Sequence, residues 1–109
     1  MGGLTRDFKE TVVRRAERDA EFRREMLKTG VELLLTGDPE DAEIGREKLR
    51  TYVNATIGFE RLASQLGKSP KSLMRMLSAS GNPSLSNLSA VVGALQRVEG
   101  VRLEIREAS

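Results

Sequence analysis

The sequence predicts an all-α domain that ends in one short β-strand, with an N-terminal helical arm (residues 1–37) in front of the main domain (residues 38–109). Three observations carry this expectation. Apolar residues recur at helical intervals between positions 8 and 95. Gly37, Gly58, Gly67 and the run Ser80-Gly81-Asn82-Pro83 cut that pattern into pieces of helix length. After Gly100 the apolar residues fall at every second position instead.

Taken in order, residues 5 to about 36 are rich in charge and carry Phe8, Val12, Ala16, Phe22, Met26, Leu27, Val31, Leu34 and Leu35 at roughly helical spacing, as one long helix or two. Asp19 is the natural break, because the spacing slips between Ala16 and Phe22 and Asp is a good N-cap. Gly37 suits the left-handed position after a helix end. Asp38-Pro39-Glu40-Asp41 then restarts a helix, with Asp as cap, Pro at the first helical position and acids in the first turn. This helix runs to about residue 57, with one stripe of Ala42, Gly45, Leu49, Tyr52, Val53 and Thr56 or Ile57 that must pack on the following helices. Residues 59–66 and 70 to about 78 make two short helices around a turn at 67–69. A last helix from Ser84 carries Leu85, Leu88, Val91, Val92 and Leu95 on one face and covers their inner surface.

Beyond it, Val101, Leu103 and Ile105 alternate with Arg102, Glu104 and Arg106, the pattern of a strand. A lone strand leaves its own backbone unsatisfied, and no second strand is evident. The economical partner is a second copy across a two-fold axis, so these three apolar residues are the expected dimerisation contacts.

Composition excludes several classes. A chain of 109 residues makes one domain large enough to bury a core without staples. Cys and His are both absent, which removes disulfides, thiolate metal sites, the commonest general base and every Ser-His or Cys-His nucleophile pair. Apolar runs are too short for a membrane span or a signal-peptide core. The expectation is a cytoplasmic protein that is not an enzyme and needs no cofactor or metal. Glu40, Asp41, Glu43 and Glu47 are carboxylates at a helix start, where acids are favoured in any case. Arg14, Arg15, Arg18, Arg23 and Arg24 interleave with Glu10, Glu17, Asp19, Glu21 and Glu25 at helical pairing distance, as on a mixed surface helix.

Net charge is only +2, from 18 basic and 16 acidic residues, but its distribution is uneven. Positions 61–98 hold Arg61, Lys68, Lys71, Arg75 and Arg97 with no Asp or Glu. A locally positive surface of this kind attracts phosphate. The same stretch includes FERLASQLGKSPKSLMRML at positions 59–77. Taking Gly67 as the turn, small Ala63 stands four residues before it between Leu62 and Leu66, and Leu73 and Met76 follow six and nine residues after it. Two helices that cross through a tight turn need a small residue where they approach and a glycine where the backbone reverses. The four larger apolar residues then face inward and leave Lys71, Ser72 and Arg75 facing out.

Leu62-Ala63, Gly67, Ser69, Ser72-Leu73, Arg75, Asn82-Pro83-Ser84, Leu88 and Ala94-Leu95 resemble the Cro/cI (Xre-type) helix-turn-helix family, over roughly residues 40–107. The closest likeness is to HigA-type antitoxins and addiction-module antidotes, in which a similar arrangement precedes a strand of the Val-Arg-Leu-Glu-Ile kind. The resemblance implies a lambda-repressor-like DNA-binding domain whose second motif helix enters the major groove. Carried residue by residue, it puts Lys71, Ser72, Arg75 and Met74 toward base edges, and Lys68, Ser69, Asn82 and the start of the Phe59 helix toward phosphates. Phe59 stands where phage-type repressors carry a polar residue, so inward packing is open to it as well, and Lys68 fills a turn position that is usually apolar. The implied function is a dimeric transcriptional repressor of a palindromic operator, with a small ribonuclease toxin as partner. A stand-alone regulator without a toxin, or a helical interaction module that has lost DNA binding, remains the alternative.

Overall fold

The computed structural model describes residues 6–108. Among them the chain forms α1 (Arg6–Arg18), α2 (Ala20–Leu34), α3 (Pro39–Ala55), α4 (Phe59–Leu66), α5 (Pro70–Met76) and α6 (Leu85–Glu99), and no strand. The arm is two helices. Asp19 leaves helical geometry at φ −113° and ψ 99°, and its Oδ1 accepts the Phe22 amide at 3.0 Å. The Arg15 guanidinium lies 4.2 Å from the centre of the Phe22 ring and spans the break.

Leu35 is the C-cap of α2, Gly37 takes a positive φ (87°) in the turn that follows, and Asp38 Oδ1 accepts the Glu40 amide at 2.8 Å to begin α3 behind Pro39. The helical hairpin formed by α2 and α3 is closed by two glycines. A Cβ on Gly45 would come within 2.7 Å of the Gly30 carbonyl oxygen, so this approach is possible only without side chains.

All six helices feed one core. Ala16 of α1, Met26 and Leu27 of α2, Leu49, Tyr52 and Val53 of α3, Phe59, Leu62 and Ala63 of α4, Leu73 and Met76 of α5, and Val91, Ala94 and Leu95 of α6 are buried together with Leu77. Residues 6–37 therefore share their hydrophobic interior with the rest of the chain. The Cα radius of gyration, 13.4 Å, is that of one closely packed domain of this length.

Three expectations need correction. No strand forms after α6 among the described residues. Gly100 (φ 72°) caps that helix, the Val101 amide donates to the Gln96 carbonyl at 3.0 Å, and the Leu103 amide donates to Gln96 Oε1 at 2.8 Å. Gln96 thus does for one edge of the segment what a neighbouring strand would have done. Val101 and Leu103 rest half-buried on the core, while Ile105 is 86% exposed. Leu85 is the second correction, being 84% exposed rather than on the inner face of α6. Ser84 is the N-cap, its Oγ accepting the Asn87 amide at 3.2 Å, so Leu85 is the first helical residue and precedes the part of α6 that reaches the core. Third, α5 stops at Met76, short of residue 78, and the buried Leu77 forms its C-cap.

Candidate nucleic-acid interface

Helices α4 and α5 are joined by residues 67–69. Gly67 is left-handed (φ 65°), and the Lys68 amide returns to the Ala63 carbonyl at 3.0 Å, so the first helix is closed off and the chain reversed within three residues. Ser69 Oγ accepts the Ser72 amide at 3.1 Å, and Pro70 takes the first helical position of α5.

A helix of seven residues has few internal hydrogen bonds, and α3 supplies what α5 lacks. Arg46 donates through Nε to the Ser78 carbonyl at 3.0 Å and through one terminal nitrogen to the Ala79 carbonyl at 2.9 Å. Arg50 donates to the Met74 carbonyl at 3.1 Å. Arg50 thus bonds a carbonyl of the last turn of α5, its negative end, where guanidinium is favoured, and Arg46 holds the turn that follows it.

Leu73 and Met76 face the core, which turns Lys71, Ser72, Met74 and Arg75 outward. Ser72 Oγ makes no hydrogen bond to another described residue, and neither Lys71 nor Arg75 pairs with a carboxylate among them. The arm behaves differently: Arg6 and Arg14 pair with Glu10, and Arg15 with Asp19. Ser69 and Asn82 are exposed and Lys68 is half-buried, all flanking α5 in the chain.

Phe59 does not join this surface. It is 5% exposed, a core residue at the start of α4, with the Arg50 guanidinium 5.9 Å from its ring centre. Its side chain is therefore removed from the phosphate-facing set. What the start of α4 does offer is backbone: Gly58 precedes the helix with no side-chain cap.

A second polar cluster was not evident in the sequence. The Glu99 side chain, 3% exposed, receives Arg23 Nε at 2.7 Å and the Tyr52 hydroxyl at 2.6 Å on Oε1, and the other end of the Arg23 fork and Arg24 Nε at 3.2 Å each on Oε2. Burial pushes the Glu99 carboxyl up, but the hydrogen bonds from Arg23 and Tyr52 and the charge of Arg23 outweigh it and hold the group below the ordinary carboxylate value. Tyr52 is raised, first by burial and then by its bond to Glu99. The one sequence signal for this cluster is Tyr52 itself, whose hydroxyl needs a partner once its ring lies in an apolar stripe.

No family model, curated protein or solved structure matches the chain. Among the described residues no helix is long and apolar enough to cross a membrane.

Proposed function

We propose that this chain is a sequence-specific DNA-binding repressor of the lambda-repressor-like helix-turn-helix class, acting in the cytoplasm as a homodimer on a palindromic operator. The observation that carries the reading is the outer face of α5: Lys71, Ser72, Met74 and Arg75 stand exposed on a short helix that is capped at both ends, with neither cation paired to a carboxylate among the described residues. Arg75 and Lys71 suit guanine O6 and N7, Ser72 suits either base class, and Met74 suits a thymine methyl. Lys68, Ser69, Asn82 and the uncapped amides at the start of α4 suit phosphates and set the register.

The fuller proposal is an antitoxin that represses its own operon and binds a small ribonuclease toxin. Its support is the resemblance, together with an open groove of about 290 Å³ between the arm and α3, lined by Phe8, Val12, Phe22, Met26 and Ile44 among others. A stand-alone regulator would use the same α5 surface without that partner.

The test is gel retardation of the gene's own promoter DNA. Wild type is expected to shift it, and Lys71→Ala combined with Arg75→Ala to weaken binding at least 30-fold, from about 1–3 kcal/mol per base contact. Equal retardation by both proteins would sink the repressor reading. The antitoxin part falls separately if no small basic reading frame lies beside the gene.

A further inference from the structure

The segment after α6 has one edge occupied and one edge open. The amides of Val101 and Leu103 both bond Gln96, at 3.0 and 2.8 Å. In an extended chain successive amides point to opposite edges, so the N–H and C=O groups of Arg102 and Glu104 face the other way. No hydrogen bond joins either of those residues to another described residue, and both are exposed. Val101 and Leu103 lie on the core, and Ile105, the next apolar residue of the alternation, is 86% exposed.

We infer that this open edge pairs with the same edge of a second copy, antiparallel, with Leu103 on the two-fold axis. The inference takes from the proposed function only its homodimer and adds the partner's register. Of the antiparallel registers, one centred on Arg102 sets Arg102 against itself, and charge separates those centred on residues 103, 104 or 105. Centring on Glu104 sets Arg102 opposite Arg106 of the second copy and Glu104 opposite Glu104, like charges at every outward pair. Centring on Ile105 sets Leu103 opposite Glu107, an apolar residue against a carboxylate.

Centring on Leu103 sets Arg102 opposite Glu104 twice by symmetry, and Val101 opposite Ile105 twice. Arg102 and Glu104 then form the hydrogen-bonded pairs and use the open amides and carbonyls of both copies. The apolar residues fall on the non-hydrogen-bonded pairs, where side chains come closest. Ile105 gains the cover that its own chain does not provide. A two-stranded ribbon is marginal alone, but this one lies on two cores already folded.

The chain has no Cys, so a single introduced thiol can form only an intermolecular disulfide. Leu103→Cys, Glu104→Cys and Ile105→Cys each report the register in which that residue faces itself. In the register inferred here the Cα atoms of residue 103 are about 4.5 Å apart, inside disulfide range, while those of residue 104 are diagonal at about 7–8 Å. Under mild oxidation without DNA, Leu103→Cys is expected to cross-link fastest and most completely. Dominant cross-linking at 104 or 105, or none above an Ala79→Cys control, would overturn the inference.

Charge reversal gives an independent measurement that keeps the apolar face intact. Arg102→Glu is expected to weaken dimerisation about tenfold by analytical ultracentrifugation, and adding Glu104→Arg to restore it to within about threefold of wild type. A tighter Arg102→Glu dimer would mark the register centred on Glu104 and refute the one proposed. Because both measurements are made without DNA, they stand or fall apart from gel retardation: cross-linking at 103 without promoter binding sinks only the repressor reading.

Discussion

Among the described residues Glu99 takes four side-chain hydrogen bonds, from Arg23, Arg24 and Tyr52, and joins three helices. Removing its charge leaves the Arg23 guanidinium, itself only 20% exposed at the side chain, without its carboxylate. Glu99→Gln is expected to cost about 2–4 kcal/mol by chemical denaturation, and Tyr52→Phe about 1 kcal/mol. Arg24→Ala should be near neutral, because that partner is 57% exposed and solvent screens it. The pH dependence follows from the lowered carboxyl. A depressed folded-state value means that the stabilisation is present above the ordinary Glu value of 4.5 and is lost as pH falls through the folded value below it. The stability gap between wild type and Glu99→Gln should therefore be constant from pH 6 to 8 and narrow as pH falls below 4.5; a gap that widens there would contradict the assignment. None of this cluster was readable from spacing, since Arg23 and Tyr52 lie 76 and 47 positions away from Glu99 in the chain.

Helix boundaries, by contrast, were largely legible, because local chemistry decides them. Asp19, Asp38, Ser69 and Ser84 each cap the helix that follows, and Gly67 and Gly100 each adopt the left-handed geometry of a helix end. The outward position of Lys71, Ser72 and Arg75 followed from the inward one of Leu73 and Met76. Where the structure departs from the reading, a contact that spacing does not encode holds the residue instead. The alternation of Val101, Leu103 and Ile105 was read as strand, yet within the chain the side chain and carbonyl of Gln96 hold the segment. Phe59, at a position associated with polar residues, is claimed by the core and by Arg50. Packing between elements gives its own prediction: Gly45→Ala should destabilise the α2–α3 hairpin by about 1–3 kcal/mol in thermal or denaturant unfolding, since the new methyl would press on the Gly30 carbonyl.

For the whole molecule, the division into arm and main domain does not coincide with the core. A fragment of residues 38–109 would lose Ala16, Met26 and Leu27 from the interior and Arg23 and Arg24 from Glu99. It is expected to lack a cooperative unfolding transition by circular dichroism; a transition within a few degrees of the intact chain would show the arm to be dispensable. The salt dependence of promoter binding is set at the same scale. On the proposed reading Lys68 is the phosphate-facing cation of each protomer, so a dimer would release counterions with a log–log slope of about −2, and a slope near −10 would mean that the arm's arginines also contact DNA.

The guanidinium groups of Arg46 and Arg50 at the end of α5 bear on timing as well as position. A seven-residue helix on its own would open and close within microseconds, far faster than a bound complex dissociates. Tethered to α3, it opens only when that tether opens, so amide hydrogen exchange at residues 73–77 should be as slow as in the middle of α3, and Arg46→Ala should accelerate it there while leaving α6 unchanged.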